Sequence, residues 1–159
     1  MPSAAPDPWL DDLFALKRTP RSGWFRIGVP QPESVAEHSY AVGLLAWRAA
    51  RAAGLNAERA LLMGLLHDFH EARLGDIPSP VKARLDAAGL AAAETALIAE
   101  QWGDWAPEVA ALLAELAAGA SAEAELVHAW DGAERREQAR RYLAEGYREA
   151  AVFLEGDGE

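Results

Sequence analysis

Cysteine is absent from the 159 residues, which excludes disulfide scaffolds, thiolate zinc sites, iron–sulfur clusters and cysteine nucleophiles. Long apolar runs are missing too. Nothing approaches the roughly 18 consecutive residues that cross a bilayer, so no membrane partner is expected. Met1-Pro2-Ser3-Ala4-Ala5-Pro6-Asp7 carries neither the basic nor the apolar stretch of a secretory signal, and a cytoplasmic location is the expectation. Positive charge is scarce, with 15 Lys and Arg against 25 Asp and Glu, a formal net charge of −10. Polymeric nucleic acid is held largely by basic side chains on phosphates, so it is not an expected partner. A small phosphorylated ligand needs only a few local cations and stays compatible. The β-branched residues number seven Val, three Ile and two Thr, with no period-2 alternation bounded by turns.

Alanine is what the chain has in quantity, 36 residues of it, with Leu, Glu and Arg supplying most of the remainder. These are the strongest helix formers. The reading is an all-α single domain, residues 1–154, of about six to eight helices, followed by a tail at 155–159 expected to be disordered. Asp7-Pro8 places a capping side chain before a proline at the first helical position and opens a helix to about Leu16. Lys17 to Pro32 holds three prolines and two glycines and reads as an irregular loop. Ser34-Val35-Ala36-Glu37 is a capping-box pattern opening a helix to about Ala53, with Val35, Val42, Leu45 and Ala49 on one face. Asn56 caps the next, whose run from Ala60 to Leu66 is apolar nearly all round, as in a central helix, with Gly75 as its stop. Further helices are expected from Pro78 to Ala87, Leu90 to Trp102, Pro107 to Ala117 and Ser121 to Glu145, and a last turn or two from Tyr147 to Leu154.

The chemistry-bearing residues fall on this frame. His67-Asp68 follows the most apolar run, where an imidazole and a carboxylate need a partner, because burying them unpaired costs several kcal/mol. A divalent cation is one such partner. His38 lies early in the preceding helix and Asp131 lies mid-way along the long late one, so four N and O ligands from three helices can surround one metal. Buried histidines satisfied by ordinary hydrogen bonds are the alternative. Lys17, Arg18, Arg21 and Arg26 form a local reversal of sign that suits a phosphate, and Trp24 offers a face for a base or sugar or else packs on the core. His128 and Glu134 share a helix face with Asp131 and either orient a metal ligand or serve packing. His67-x-x-His70-Glu71 matches neither zincin pattern, and no nucleophile elbow, Walker A loop or dinucleotide fingerprint is present.

The order His38, His67-Asp68, Asp131 resembles the H…HD…D signature of HD-domain metal-dependent phosphohydrolases. Glu33-Ser34-Val35-Ala36-Glu37-His38-Ser39, the segment from Leu66-His67-Asp68 through Glu71 to Gly75-Asp76-Ile77-Pro78, and Asp131 to Ala139 resemble stretches of the YfbR-like 5′-deoxynucleotidase branch. Arg21-Ser22-Gly23-Trp24 resembles its substrate-side element. The resemblance implies an all-α HD fold, a homodimer, and one divalent metal (Mn, Co, Fe, Ni or Zn) on His38, His67, Asp68 and Asp131. It also implies Glu71 and Asp76 as catalytic residues, and Trp24 near the nucleotide with an arginine, Arg18 or Arg21, close by. Phe69-His70 and Gly132-Ala133 depart from the usual wording of the branch.

The expected activity is release of phosphate from 5′-deoxyribonucleoside monophosphates. In that reaction a metal lowers the pKa of bound water from about 16 towards about 7, and Glu71 donates a proton to the leaving oxygen. Glu71 in a surface salt bridge with Arg73 or Lys82, and Asp76 as a turn cap, are the structural alternatives. Another phosphate ester, an alarmone nucleotide, or a non-catalytic nucleotide-binding regulator are the alternatives for function.

Overall fold

The structure, a computed structural model, describes residues 7–154, so the tail at 155–159 lies outside the described residues, as do residues 1–6. Among the described residues every regular element is helical: α1 (Pro8–Leu16), α2 (Ser22–Arg26), α3 (Val35–Ala53), α4 (Ala57–Leu66), α5 (Glu71–Leu74), α6 (Ser79–Lys82), α7 (Ala87–Trp102), α8 (Ala106–Ala118) and α9 (Ala122–Ala144). Short 3-10 helices cover Gly103–Trp105 and Arg148–Phe153. None of the helices described is long and apolar enough to cross a membrane.

The caps explain where the long helices begin. Asp7, Asn56, Asp86 and Ser121 each accept a backbone N–H of the first turn, satisfying donors that a helix start leaves open. Ser34 forms the full capping box with Glu37, whose carboxylate returns to the Ser34 N–H at 2.7 Å. That box anchors the turn carrying His38.

Helix α3 packs against α4 and α9, and α8 closes the same core. Small residues make this approach close. Val42, Ala46 and Ala50 of α3 meet Ala57, Ala60 and Met63 of α4, Leu112 and Leu116 of α8, and Ala124 and Val127 of α9. The tightest point is the crossing of α3 and α4, where a Cβ on Gly64 would stand 2.7 Å from the Gly43 Cα. Only glycine fits there, and the close crossing brings the His38 and His67 rings to 5.4 Å between centroids. A second cluster gathers Trp24, Val29, Ala139, Tyr142 and Ala150, and a third gathers Leu16, Val35 and Phe69 with Trp9 and Trp102.

Several local expectations are corrected. The buried stripe of α3 runs through Val42, Ala46 and Ala50 rather than Leu45 and Ala49, which are only half-buried. Helix α4 ends at Leu66 rather than Gly75. The Gly64 carbonyl accepts from the His67 ring, and residues 67–72 descend in tight i→i−3 turns such as Phe69 N–H to Leu66 O. The α4 run is not buried all round, since Leu62 is 47% exposed. The loop between Lys17 and Pro32 contains α2, whose first N–H, from Ser22, is accepted by the distant Asp76 carboxylate. A cap supplied across the fold leaves no mark in the local sequence. Helix α6 stops at Lys82 rather than Ala87, and α7 starts at Ala87 rather than Leu90 because the Asp86 carboxylate accepts from both Ala88 and Gly89.

Candidate metal centre

His38 is wholly buried in the first turns of α3, and His67 and Asp68 occupy the turn that ends α4. Asp131 projects from α9. The ligating atoms of His38, His67 and Asp68 lie within 4.8 Å of one another. The Asp131 Oδ1 is 3.1 Å from His38 Nε2, and the Asp68 Oδ2 is 3.1 Å from His67 Nε2 and 4.0 Å from His38 Nε2.

Ring nitrogen assignments follow from the opposite edges. His67 Nδ1 lies 2.8 Å from the Gly64 carbonyl, which can only accept, so Nδ1 carries the hydrogen and the neutral ring presents a lone pair at Nε2. His38 Nδ1 lies 2.7 Å from Glu134 Oε2 and is oriented in the same sense. Both Nε2 atoms are buried without a hydrogen bond of acceptable geometry. In their neutral forms the two rings would offer Nε2 lone pairs beside two carboxylates, a donor set that fits a borderline divalent cation of the Mn-to-Zn group.

The electrostatics favour positive charge at that point. Burial opposes a charged His38, but Asp131 and Glu134 outweigh it and push the imidazolium up to about 9. His67 is raised against its burial chiefly by Asp68. Burial would raise the Asp68 carboxyl, yet His67, Arg21 and His38 hold it well below the ordinary range. Asp131 is lowered by His38 and His67 in the same way.

Asp68 and Asp131, with His38 and His67 behind them, line a cavity of about 490 Å³, a size suited to a small molecule. Glu71 stands in its wall, buried, with Oε2 unpartnered. Burial, then the neighbouring Asp68 and Asp76 charges, raise its carboxyl to about 9, so it is a neutral acid at pH 7. Asp76 accepts from the Ser22 N–H at 2.5 Å and the Ser22 hydroxyl at 2.6 Å. Arg21 Nη1 bridges Asp76 Oδ1 at 3.2 Å and Asp68 Oδ2 at 3.3 Å, and Arg21 lines the cavity. Trp24, Ile27, Ile77 and Phe153 supply apolar wall, and Arg26, Lys82 and Arg135 add positive charge.

Not every residue picked from the sequence arrives here. Arg18 is exposed just beyond α1 and does not line the cavity. Trp24 is only 3% exposed, packed on Phe153 and Tyr142, so it is wall rather than an open stacking face. His128 meets the Leu116 carbonyl at 2.7 Å, away from the cluster, whereas Glu134 reaches His38. Ser22 and Glu33 were not singled out. Glu33, pushed up to about 7 by burial and by Glu134, accepts from the Trp24 indole.

The match to an HD domain family model extends over residues 13–156, and the chain belongs to that family. It is 43% identical over 70 residues to the 5′-deoxynucleotidase hdd1 of Schizosaccharomyces pombe, a stretch covering 44% of this chain and 35% of that protein. It is 40% identical over 62 residues to the 5′-deoxynucleotidase HDDC2 of Danio rerio, covering 39% and 30%. The chain thus spans about a third of the length of these curated relatives. A conserved hypothetical protein from Pyrococcus furiosus superposes with a TM-score of 0.81 at 28% identity, covering 94% of this chain and 89% of that one.

Proposed function

We propose that this chain is a metal-dependent phosphohydrolase that releases phosphate from 5′-deoxyribonucleoside monophosphates. The observation that carries the reading is the pair of buried histidine Nε2 atoms, each 3.1 Å from a carboxylate oxygen of Asp131 or Asp68 without a well-formed hydrogen bond, beside a cavity that those two aspartates line together with a neutral Glu71. The 5′-deoxynucleotidase names of the matched relatives supply the substrate class.

His38, His67, Asp68 and Asp131 would hold the divalent cation. When bound, it supplies Lewis acidity, making water a better nucleophile and drawing charge off the phosphoryl oxygens. Arg21 presents a guanidinium to the phosphate, and Asp76 fixes Arg21 and the start of α2 in place. The ester P–O bond breaks as water adds to phosphorus. Glu71 delivers its proton to the departing 5′-oxygen, yielding nucleoside and inorganic phosphate. A cytoplasmic setting, where free nucleotides occur, completes the reading.

Metal-depleted protein should release no phosphate from dAMP, dGMP or dTMP, and Co²⁺ or Mn²⁺ should restore release in a malachite green assay. Release that persists in excess chelator, or that no metal restores, overturns the hydrolase. Tight dAMP binding without turnover would reassign the chain as a regulator.

The same proposal includes a homodimer. Tyr40, Leu44 and Trp47 lie at helical spacing on α3, all exposed, with Tyr40 at 62%. Sedimentation equilibrium should return twice the chain mass, and Leu44→Lys should shift the species to monomer. A wild-type monomer at all concentrations rejects the pairing.

A further inference from the structure

We propose that the indole of Trp24 sets metal affinity from a distance, through Glu33 and Glu134, and that Glu134 is the positioning residue for His38. This inference rests on the metal centre argued above. Two hydrogen bonds and one close approach define the path. The Trp24 Nε1–H donates to Glu33 Oε1 at 2.9 Å. A carboxylate oxygen from each of Glu33 and Glu134 and a ring nitrogen of His38 lie within 4.8 Å of one another. The last contact is the 2.7 Å bond between His38 Nδ1 and Glu134 Oε2.

Every part of this path is held from outside the cation's own coordination. Glu134 is buried on α9, on the side of His38 away from Asp68 and Asp131. The Glu33 backbone N–H donates to the Tyr142 hydroxyl at 2.8 Å, which ties that residue to α9. Trp24 is clamped between Tyr142 and Phe153. Two carboxylates this close repel each other unless each has its own donor. The indole serves Glu33 and the imidazole serves Glu134. Removing the indole N–H frees Glu33 either to press on Glu134 or to compete for His38 Nδ1, and both loosen the ring that presents Nε2.

A carboxylate behind a ligating histidine fixes its orientation and raises its donor strength. Trp24 adds a consequence specific to this chain. The indole is also cavity wall, so a molecule that presses on the wall acts on the same path. By linkage, whatever change a bound nucleotide makes in metal affinity through this path is matched by an equal change that the metal makes in nucleotide affinity.

The test is Co²⁺ titration of the metal-depleted full chain, followed by calorimetry and by the visible Co²⁺ spectrum. Glu134→Ala should weaken Co²⁺ binding by about 10- to 100-fold. Glu134→Gln, which keeps an acceptor for Nδ1–H, should lose less. Trp24→Phe should weaken binding by roughly 3- to 10-fold, the worth of one hydrogen bond, and should add nothing further in the Glu134→Ala background. Glu33→Ala removes the carboxylate that the indole restrains, so it should leave Co²⁺ affinity near the wild-type value and cancel the Trp24→Phe loss when the two are combined.

Unchanged Co²⁺ affinity in Trp24→Phe, or a Trp24→Phe loss that persists when Glu33 is also alanine, overturns the coupling. So do losses that multiply independently when Trp24→Phe is combined with Glu134→Ala, or a second Co²⁺ equivalent taken up by Glu33, His38 and Glu134. Wild-type protein that binds no Co²⁺ instead removes the metal centre itself, a different failure from equal binding by wild type and variants.

Discussion

Asp68→Ala is expected to abolish phosphate release and to weaken metal binding by more than about 100-fold, beyond what loss of a group behind a ligand costs. Asp68 does three things at once. Its Oδ2 faces His67 Nε2 at 3.1 Å, lies 4.0 Å from His38 Nε2, and accepts from Arg21 at 3.3 Å. Removing it takes away one proposed ligand, the main counter-charge of His67, and one of the two carboxylates that pair with Arg21. Asp68→Asn separates these contributions. The amide keeps an oxygen and the shape but not the charge, so it should retain the fold while losing most metal affinity. Calorimetric titration with Co²⁺ and a phosphate assay on dAMP check both. Turnover by Asp68→Ala within tenfold of wild type would place the reaction elsewhere.

Helix starts and apolar faces place the four candidate ligands on three helices, and the ordered resemblance to the H…HD…D signature is what singles them out as one set. Ser34 and Glu37 write the start of α3 in adjacent letters, and the alanine-rich stripes of α3, α4 and α9 state that these helices pack closely. The spacing that brings His38 beside His67 depends on Gly43 meeting Gly64, and two glycines in separate helices do not announce that they touch. What stayed hidden is what is settled across the fold. The α2 cap comes from Asp76, the Glu33 partner from Trp24, and the carbonyl that ends α4 early is claimed by the His67 side chain. Local propensity describes none of these. Arg18 and Arg21 look alike in a basic loop, yet a turn at Ala15 leaves Arg18 in solvent, while Arg21 pairs with Asp68 and Asp76.

Glu71→Gln is expected to lower kcat by about 10²- to 10⁴-fold, the usual worth of a positioned general acid, while leaving Co²⁺ affinity and the nucleotide KM nearly unchanged. Glu71 is buried and raised to about 9, so at pH 7 the native side chain is already neutral. Glutamine matches that neutral form in size and in its one carbonyl acceptor. It has no proton to give to an oxygen that leaves as an alkoxide. A loss confined to kcat marks an interaction made in the transition state, whereas a parallel rise in KM would mark a lost substrate contact. A stability measurement carries an independent sign. The carboxyl of folded metal-free protein holds its proton up to about 9, against 4.5 for the ordinary group. The folded state therefore binds more protons than the unfolded one across that window, and its stability falls as pH rises through it. Glutamine removes this dependence. The melting temperature of Glu71→Gln relative to wild type should climb between pH 4.5 and 9, and a flat difference would mean that Glu71 is ionised in the folded chain and cannot be the acid.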